Sequence, residues 1–82
     1  MQPKELDDLF RDNLRALRTK RGMSQAALAD AMSYTGSKVH VPYISDIENG
    51  VKMPGLAMIA RIAEALGVSP SELLSENLSR SA

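Results

Sequence analysis

The sequence predicts an all-α domain built from five helices. Four segments repeat apolar residues at a spacing of three or four, the period that places them on one face of a helix. A fifth segment is marked by Ser69-Pro-Ser-Glu72, which combines a capping box with proline at the first helical position. An 82-residue chain with 44% hydrophobic residues and only three aromatics suits one small helical core.

Composition removes several classes of function. The absence of cysteine excludes disulfides and thiolate metal sites. With a single histidine, His40, and neither a glycine-rich phosphate loop nor paired carboxylates, we expect no catalysis, no metal site and no cofactor. No apolar run approaches the roughly 18 residues that span a bilayer or forms a signal peptide, so we expect a cytoplasmic protein that does not enter a membrane.

The first helix is predicted from Pro3 to Arg21, with Gly22 as its end. Acidic side chains crowd its first turn and basic ones its last, which suits the helix dipole at both ends. Its apolar stripe comprises Leu6, Leu9, Phe10, Leu14 and Leu17.

Two short helices follow. Ser24 caps one that reaches Met32. The other runs over residues 42–50, with Pro42 at its start and Asn49-Gly50 as its stop. Two short helices in this order make a helix-turn-helix candidate.

The last two helices also have clear start and stop signals. Gly67 closes the fourth, and Ser69 opens the fifth. The tail from residue 75 is polar. The inward residues of the fourth helix are Leu56, Ile59, Ile62, Ala63 and Leu66.

Several separated motifs follow one another along the chain: Met23-Ser-Gln, Leu28-Ala29, Ile44-Ser-Asp-Ile-Glu-Asn-Gly50, Pro54 and Ile59-Ala-Arg-Ile-Ala-Glu-Ala-Leu-Gly-Val68. In this order they resemble the phage-repressor family of helix-turn-helix proteins, the Cro and Xre-like transcription regulators. The resemblance implies a lambda-repressor-like domain over residues 10–74, preceded by an extension of the first helix over 1–9 and followed by a polar tail over 75–82. It also implies sequence-specific binding of double-stranded DNA.

The chain departs from the family in the turn between the second and third helices. Leu28 and Ile44 are sixteen positions apart, which is longer than the family's usual spacing. The extra residues fall in 33–41, where Ser37 and Lys38 stand just before the third helix. Either they contact the DNA backbone, or the turn is surface slack that folding tolerates at little cost.

The resemblance also assigns roles outside the turn. It implies a structural ion pair between Arg18 and Glu48, and a phosphate contact for Gln25 beside the N-terminus of the second helix. It places Asn49 where relatives hold a phosphate, although a helix stop explains this residue as well. Lys52, in the link to the fourth helix, is a further expected phosphate contact.

The third helix is expected to enter the major groove and read bases. It carries no arginine for guanine, so the remaining options are apolar contact with a thymine methyl, the tyrosine hydroxyl, and a carboxylate that accepts from cytosine. An aspartate here has the alternative of being merely solvated. By the resemblance, the reading positions are Val41, Pro42, Tyr43, Ser45 and Asp46.

Two-fold operators are read by two-fold dimers, so a homodimer binding a pseudo-palindromic operator as a repressor is expected. The chain would suit a Cro-like, plasmid or restriction-modification controller protein. Ten basic and ten acidic side chains leave no net charge, which supports one alternative: an antitoxin-like module whose partner is a protein. The resemblance places the dimer contact on the last helix. Core packing is the competing use for most of the candidates, which are Val68, Leu73, Leu74, Leu78 and Met58.

Overall fold

The protein is described from a computed structural model over residues 5–76. Within that range the chain is all-helical and has no strand, which confirms the predicted fold class. The helices are α1 (Leu6–Lys20), α2 (Gln25–Tyr34), α3 (Val41–Glu48), α4 (Leu56–Leu66) and α5 (Pro70–Leu73).

One hydrophobic core receives side chains from all five helices. α2 packs against both α3 and α4, and α1 contacts α3 and α5. The short α3 therefore packs against two longer helices, α1 and α2. The fully buried apolar side chains, of the larger residues, are Phe10, Leu14, Leu28, Met32, Ile44, Ile47, Ile62, Leu66 and Leu73.

The first helix is shorter than predicted within the described range. It begins at Leu6 and ends at Lys20, whereas Pro3 lies outside the described residues. Gly22 follows with φ +68°, a left-handed conformation that glycine adopts without a steric penalty. Leu6, assigned to the apolar stripe, is 58% exposed, because the first turn of α1 extends past the core. Leu56 is likewise exposed at the start of α4.

The boundaries around the turn also differ from the prediction. α2 continues to Tyr34, and Val41 already belongs to α3, so the turn between them is residues 35–40. The sequence instead predicts a turn over 33–41. In the structure Val39 of this turn is buried and belongs to the core. Val39 thus anchors the turn to the core, while residues 35–38 and 40 are exposed.

The capping signals act as predicted. Ser24 Oγ accepts the N–H of Ala27 at 3.0 Å, which satisfies one of the free donors at the start of α2. At α5, Oε1 of Glu72 accepts the N–H of Ser69 at 3.3 Å. Over the described residues, none of the helices combines the length and the apolar character needed to span a bilayer.

Candidate nucleic-acid interface

Helix α3 presents one face to the core and leaves its N-terminal end open. Ile44 and Ile47 are buried against α1 and α2, as their spacing predicts. Val41 and Pro42, in the first turn, are exposed, and Tyr43 is half-buried against the core. The start of α3 is therefore accessible to a groove of DNA while its inner face fixes its position.

The C-terminal end of α3 is held by the ion pair between Arg18 and Glu48. Nε of Arg18 lies 2.6 Å from Oε2 of Glu48, and Nη2 lies 2.9 Å from Oε1. The third nitrogen, Nη1, donates to the carbonyl of Met23 at 2.8 Å. This guanidinium therefore joins α1, α3 and the segment leading into α2.

Two further side chains converge on the same carboxylate. Gln25 Nε2 donates to Oε1 of Glu48 at 3.2 Å. Arg15 reaches Oε1 at 3.4 Å and donates to the Glu48 carbonyl at 3.1 Å. The structure thus brings Gln25, expected at a phosphate, into the cluster of Arg18 and Glu48. The role of Arg15 was missed because its main acceptor is a backbone carbonyl.

The cluster controls the ionisation of Glu48. Burial of this carboxyl would by itself raise its pKa, but hydrogen bonds from Arg18 and Gln25, with the Arg18 charge and a bond from Arg15, outweigh burial. The pKa of Glu48 therefore lies below its ordinary value. Its hydrogen bond to Glu48 also raises the pKa of Arg18. Both groups stay charged near neutral pH.

The N-terminus of α2 lies beside this cluster through Gln25. The Ser24 hydroxyl and carbonyl accept from Ala27 and Leu28, respectively. This leaves the N–H groups of Gln25 and Ala26 free of helical partners, because the first N–H groups of a helix have none. Such donors suit a phosphate oxygen.

On the outer side of α3, predicted reading residues contact residues that were predicted to bind phosphates. Asp46 Oδ2 lies 3.6 Å from Nζ of Lys52, and the same Nζ lies 5.7 Å from the centre of the Tyr43 ring. Ser45 Oγ accepts from Asn49 Nδ2 at 3.2 Å. Residues expected to contact DNA separately therefore form two local groups, and Asp46 is partly neutralised by a lysine.

In the turn before α3, Ser37 is hydrogen-bonded to Arg61 of α4, a contact that the sequence did not predict. Nη2 of Arg61, in α4, donates to the Ser37 carbonyl at 2.5 Å, and Nη1 donates to Ser37 Oγ at 3.1 Å. Lys38 is exposed next to it. Sequence reasoning missed Arg61 because a carbonyl acceptor has no side-chain signature.

The predicted dimer contacts need one correction. Leu73 is 0% exposed and packs inside the monomer, so it is a core residue and offers no surface to a second copy. An apolar residue on a helix fits either a dimer contact or the core of the monomer. In the structure α5 packs against α1, and Leu73 is part of the core. Val68 and Leu74 are half-buried at the edge of the core, and Leu78 lies outside the described residues.

In the part of the chain that the structure describes, no three His, Cys, Asp or Glu side chains are grouped so that they could hold an ion. The polar groups assembled around α3 are instead hydrogen-bond donors and single charges. Such groups suit phosphates and base edges.

Comparison with known proteins adds the family context. The helix-turn-helix family matches residues 14–73, which include α2, α3 and the turn between them. Control protein C.BamHI of Bacillus amyloliquefaciens is 42% identical over 67 residues, covering 80% of this chain and 76% of that protein.

A second relative is longer. The HTH-type transcriptional regulator DdrOP3 of Deinococcus deserti is 33% identical over 63 residues, which cover 77% of this chain. The match spans 45% of that protein's own length. No solved structure matches the chain.

Proposed function

Because the chain belongs to the phage-repressor (Cro/Xre-like) helix-turn-helix family of DNA-binding transcription regulators, we propose that it represses transcription by binding a pseudo-palindromic operator as a homodimer. The family is one of regulators rather than enzymes. A relative bears the name control protein, and we propose the same kind of role here. The proposed working domain is residues 10–74, and the proposed location is the cytoplasm, where a regulator meets DNA.

One observation carries the proposal: α3 is fixed by its buried face and its ion pair, while its N-terminal end is exposed. Val41 and Pro42 stand at that end, and Tyr43, Ser45 and Asp46 follow on α3. A helix presented in this way can insert its first turns into the major groove. We propose that these five residues read the bases.

Backbone contacts are proposed for the residues that surround α3. Gln25 stands at the start of α2, Asn49 at the end of α3 and Lys52 in the following link. Lys38 occupies the preceding turn, and we propose that it contacts a phosphate as well. Hydrogen bonds to phosphates fix the register of the protein without adding sequence information.

The homodimer is proposed to form through the surface around α5. Val68 and Leu74 retain exposed area there, and Leu78 is the remaining candidate. A two-fold dimer would place its two α3 helices about 34 Å apart, one helical turn of DNA. Sedimentation of the purified protein tests this: a monomer at the concentrations that repress would contradict it.

The central experiment is selection of bound duplexes from a random DNA pool by the purified full chain. The selected duplex is then titrated at two salt concentrations beside a random duplex of equal length. We expect a pseudo-palindromic winner bound at least about a thousandfold more tightly than random DNA, the lower end for specific regulators. Variant Glu64→Gln, on the exposed face of α4, serves as a control that should select the same site.

Failure of the selection has a defined meaning. A pool that is not enriched would contradict sequence-specific binding. It would favour the antitoxin-like alternative, in which the neutral net charge reflects a protein partner. Purification from the native host, with identification of stably bound proteins, would then test that alternative directly.

A further inference from the structure

The turn between α2 and α3 is fastened to α2 by Ser33. Its Oγ donates to the Ala29 carbonyl at 2.8 Å and accepts the N–H of Val39, also at 2.8 Å. The Val39 side chain is buried in the core. One end of the turn is therefore fixed just before α3 begins.

Arg61 of α4 fastens the middle of the turn. Its Nη2 donates to the Met32 carbonyl at 2.9 Å as well as to the Ser37 carbonyl, and its Nη1 contacts Ser37 Oγ. The guanidinium lies directly against Gly36, where a Cβ atom would stand 2.8 Å from Nη2. One planar fork thus joins the end of α2 and the turn to α4.

Lys38 lies between the two fastened residues, Ser37 and Val39, and is exposed. Residues 33–41 contain no acid, whereas α3 carries Asp46 and Glu48 and no basic residue. Lys52, on the far side of α3, is already paired with Asp46. Among the described residues, Lys38 is therefore the cation next to α3 that is not engaged by an acid.

We propose that Arg61 is a positioning residue that holds the turn so that Lys38 meets a DNA phosphate beside the N-terminal end of α3. The inference deepens the proposed DNA binding and rests on it. Without the fork, the segment from Ser37 to Lys38 would have to be ordered at the moment of binding, and that entropy would be lost from the affinity. Arg61 itself does not contact DNA in this scheme.

A double-mutant cycle tests the scheme with the full chain and two probes, the selected duplex and a random duplex of equal length. Gly36→Ala places a methyl group against the guanidinium, whose flexible end gives way, so it releases the fork without removing a charge. Arg61→Met removes both the fork and the charge. Each is made alone and together with Lys38→Ala.

The matched control is Arg21→Met, which removes an exposed arginine outside the turn. Thermal unfolding is followed for every variant, and all titrations are made well below the lowest midpoint. A loss of stability alone would then leave the affinity of the folded protein unchanged.

We expect Lys38→Ala to weaken binding to both duplexes and to reduce the salt slope by about one unit. Gly36→Ala and Arg61→Met should each weaken binding by about threefold or more in the native background and have little effect when Lys38 is absent. Arg21→Met should give the same change in both backgrounds.

Other outcomes overturn the inference at identifiable steps. Equal effects of Gly36→Ala with and without Lys38 would show that Arg61 does not act through this lysine. A Lys38→Ala protein with native affinity and salt slope would remove the lysine from the interface while leaving the proposed regulator intact. If the native chain binds neither duplex, the proposed function itself fails.

Discussion

Arg18 and Glu48, thirty residues apart in the chain, form a hydrogen-bonded ion pair that joins α1 to α3. Less than a fifth of the Arg18 side chain and almost none of the Glu48 side chain is exposed to solvent. Breaking a buried pair leaves an uncompensated charge, which is costly. The position of the proposed reading helix therefore depends on this contact.

We predict that Arg18→Ala destabilises the domain by about 3–5 kcal/mol, because Glu48 keeps a buried charge with fewer partners. Urea unfolding of the variant beside the native chain measures the loss. Replacing both residues by apolar ones, Arg18→Met with Glu48→Leu, should cost less than Arg18→Ala. A double variant that is the less stable of the two would contradict this explanation.

The same pair predicts a pH dependence. The pKa of Glu48 is depressed in the folded protein, so its stabilising contribution is complete above the ordinary value of 4.5 and is lost as pH falls from there. The stability difference between the native chain and Glu48→Gln should thus be large at pH 7 and shrink below about pH 4. Urea unfolding at both pH values measures it, and a difference that does not change with pH would refute the assignment.

Asn13 provides a second test inside the core. Its Nδ2 donates to the carbonyls of Leu73 and Ser75 at 2.9 and 2.8 Å, and so ties α1 to the end of α5. Asn13→Ala should lower the free energy of unfolding by about 1–3 kcal/mol for each buried carbonyl that loses the amide donor. At pH 7, Asn13→Asp should lower the stability further, because the ionised carboxylate has no proton to donate and would face two carbonyl oxygens. Thermal unfolding compares them, and an aspartate variant as stable as the native chain would contradict the role of the amide.

For DNA binding, we predict that Lys52→Ala weakens binding to selected and random duplexes by similar factors. Its salt slope should fall by about one unit, since one phosphate contact is lost. Titration at several salt concentrations checks both statements. A change confined to the selected duplex would instead make Lys52 a base-reading residue.

Asp46 should behave differently, because it stands on the exposed side of α3. We predict that Asp46→Asn changes the sequence selected from a random pool, whereas Glu64→Gln, which removes the same charge from α4, does not. Selection repeated with both variants makes the comparison. An unchanged preference in Asp46→Asn would limit this residue to its pairing with Lys52.

The sequence was informative wherever a structure depends on local chemistry. Helix types, the Ser24 cap and the left-handed glycines follow from residues close in the chain, and the structure has them. Periodicity identifies the inner face of a helix but not whether another element covers it. The prediction therefore failed at two residues. Leu6 lies in the predicted stripe but is exposed, and Leu73, predicted at a dimer contact, is buried.

The hydrogen bonds that the sequence did not predict were missed for one physical reason. Asn13, Arg15 and Arg61 donate to main-chain carbonyls more than twenty residues away. Every residue carries such an acceptor, so no side-chain pattern marks the partner. The pair of Arg18 and Glu48 was foreseen because motifs in the chain resemble those of a known family.

The tie between Asn13 and the Leu73 carbonyl also sets an order of events during synthesis, since these residues are 60 positions apart. At roughly 5–20 residues per second, a ribosome takes about 3–12 s to make the intervening chain. During that interval α1 lacks its contact with α5, although α3 has already been made. Until α5 is made, the apolar side chains of α1 that pack against it have no partner there, so the growing chain exposes apolar surface for seconds.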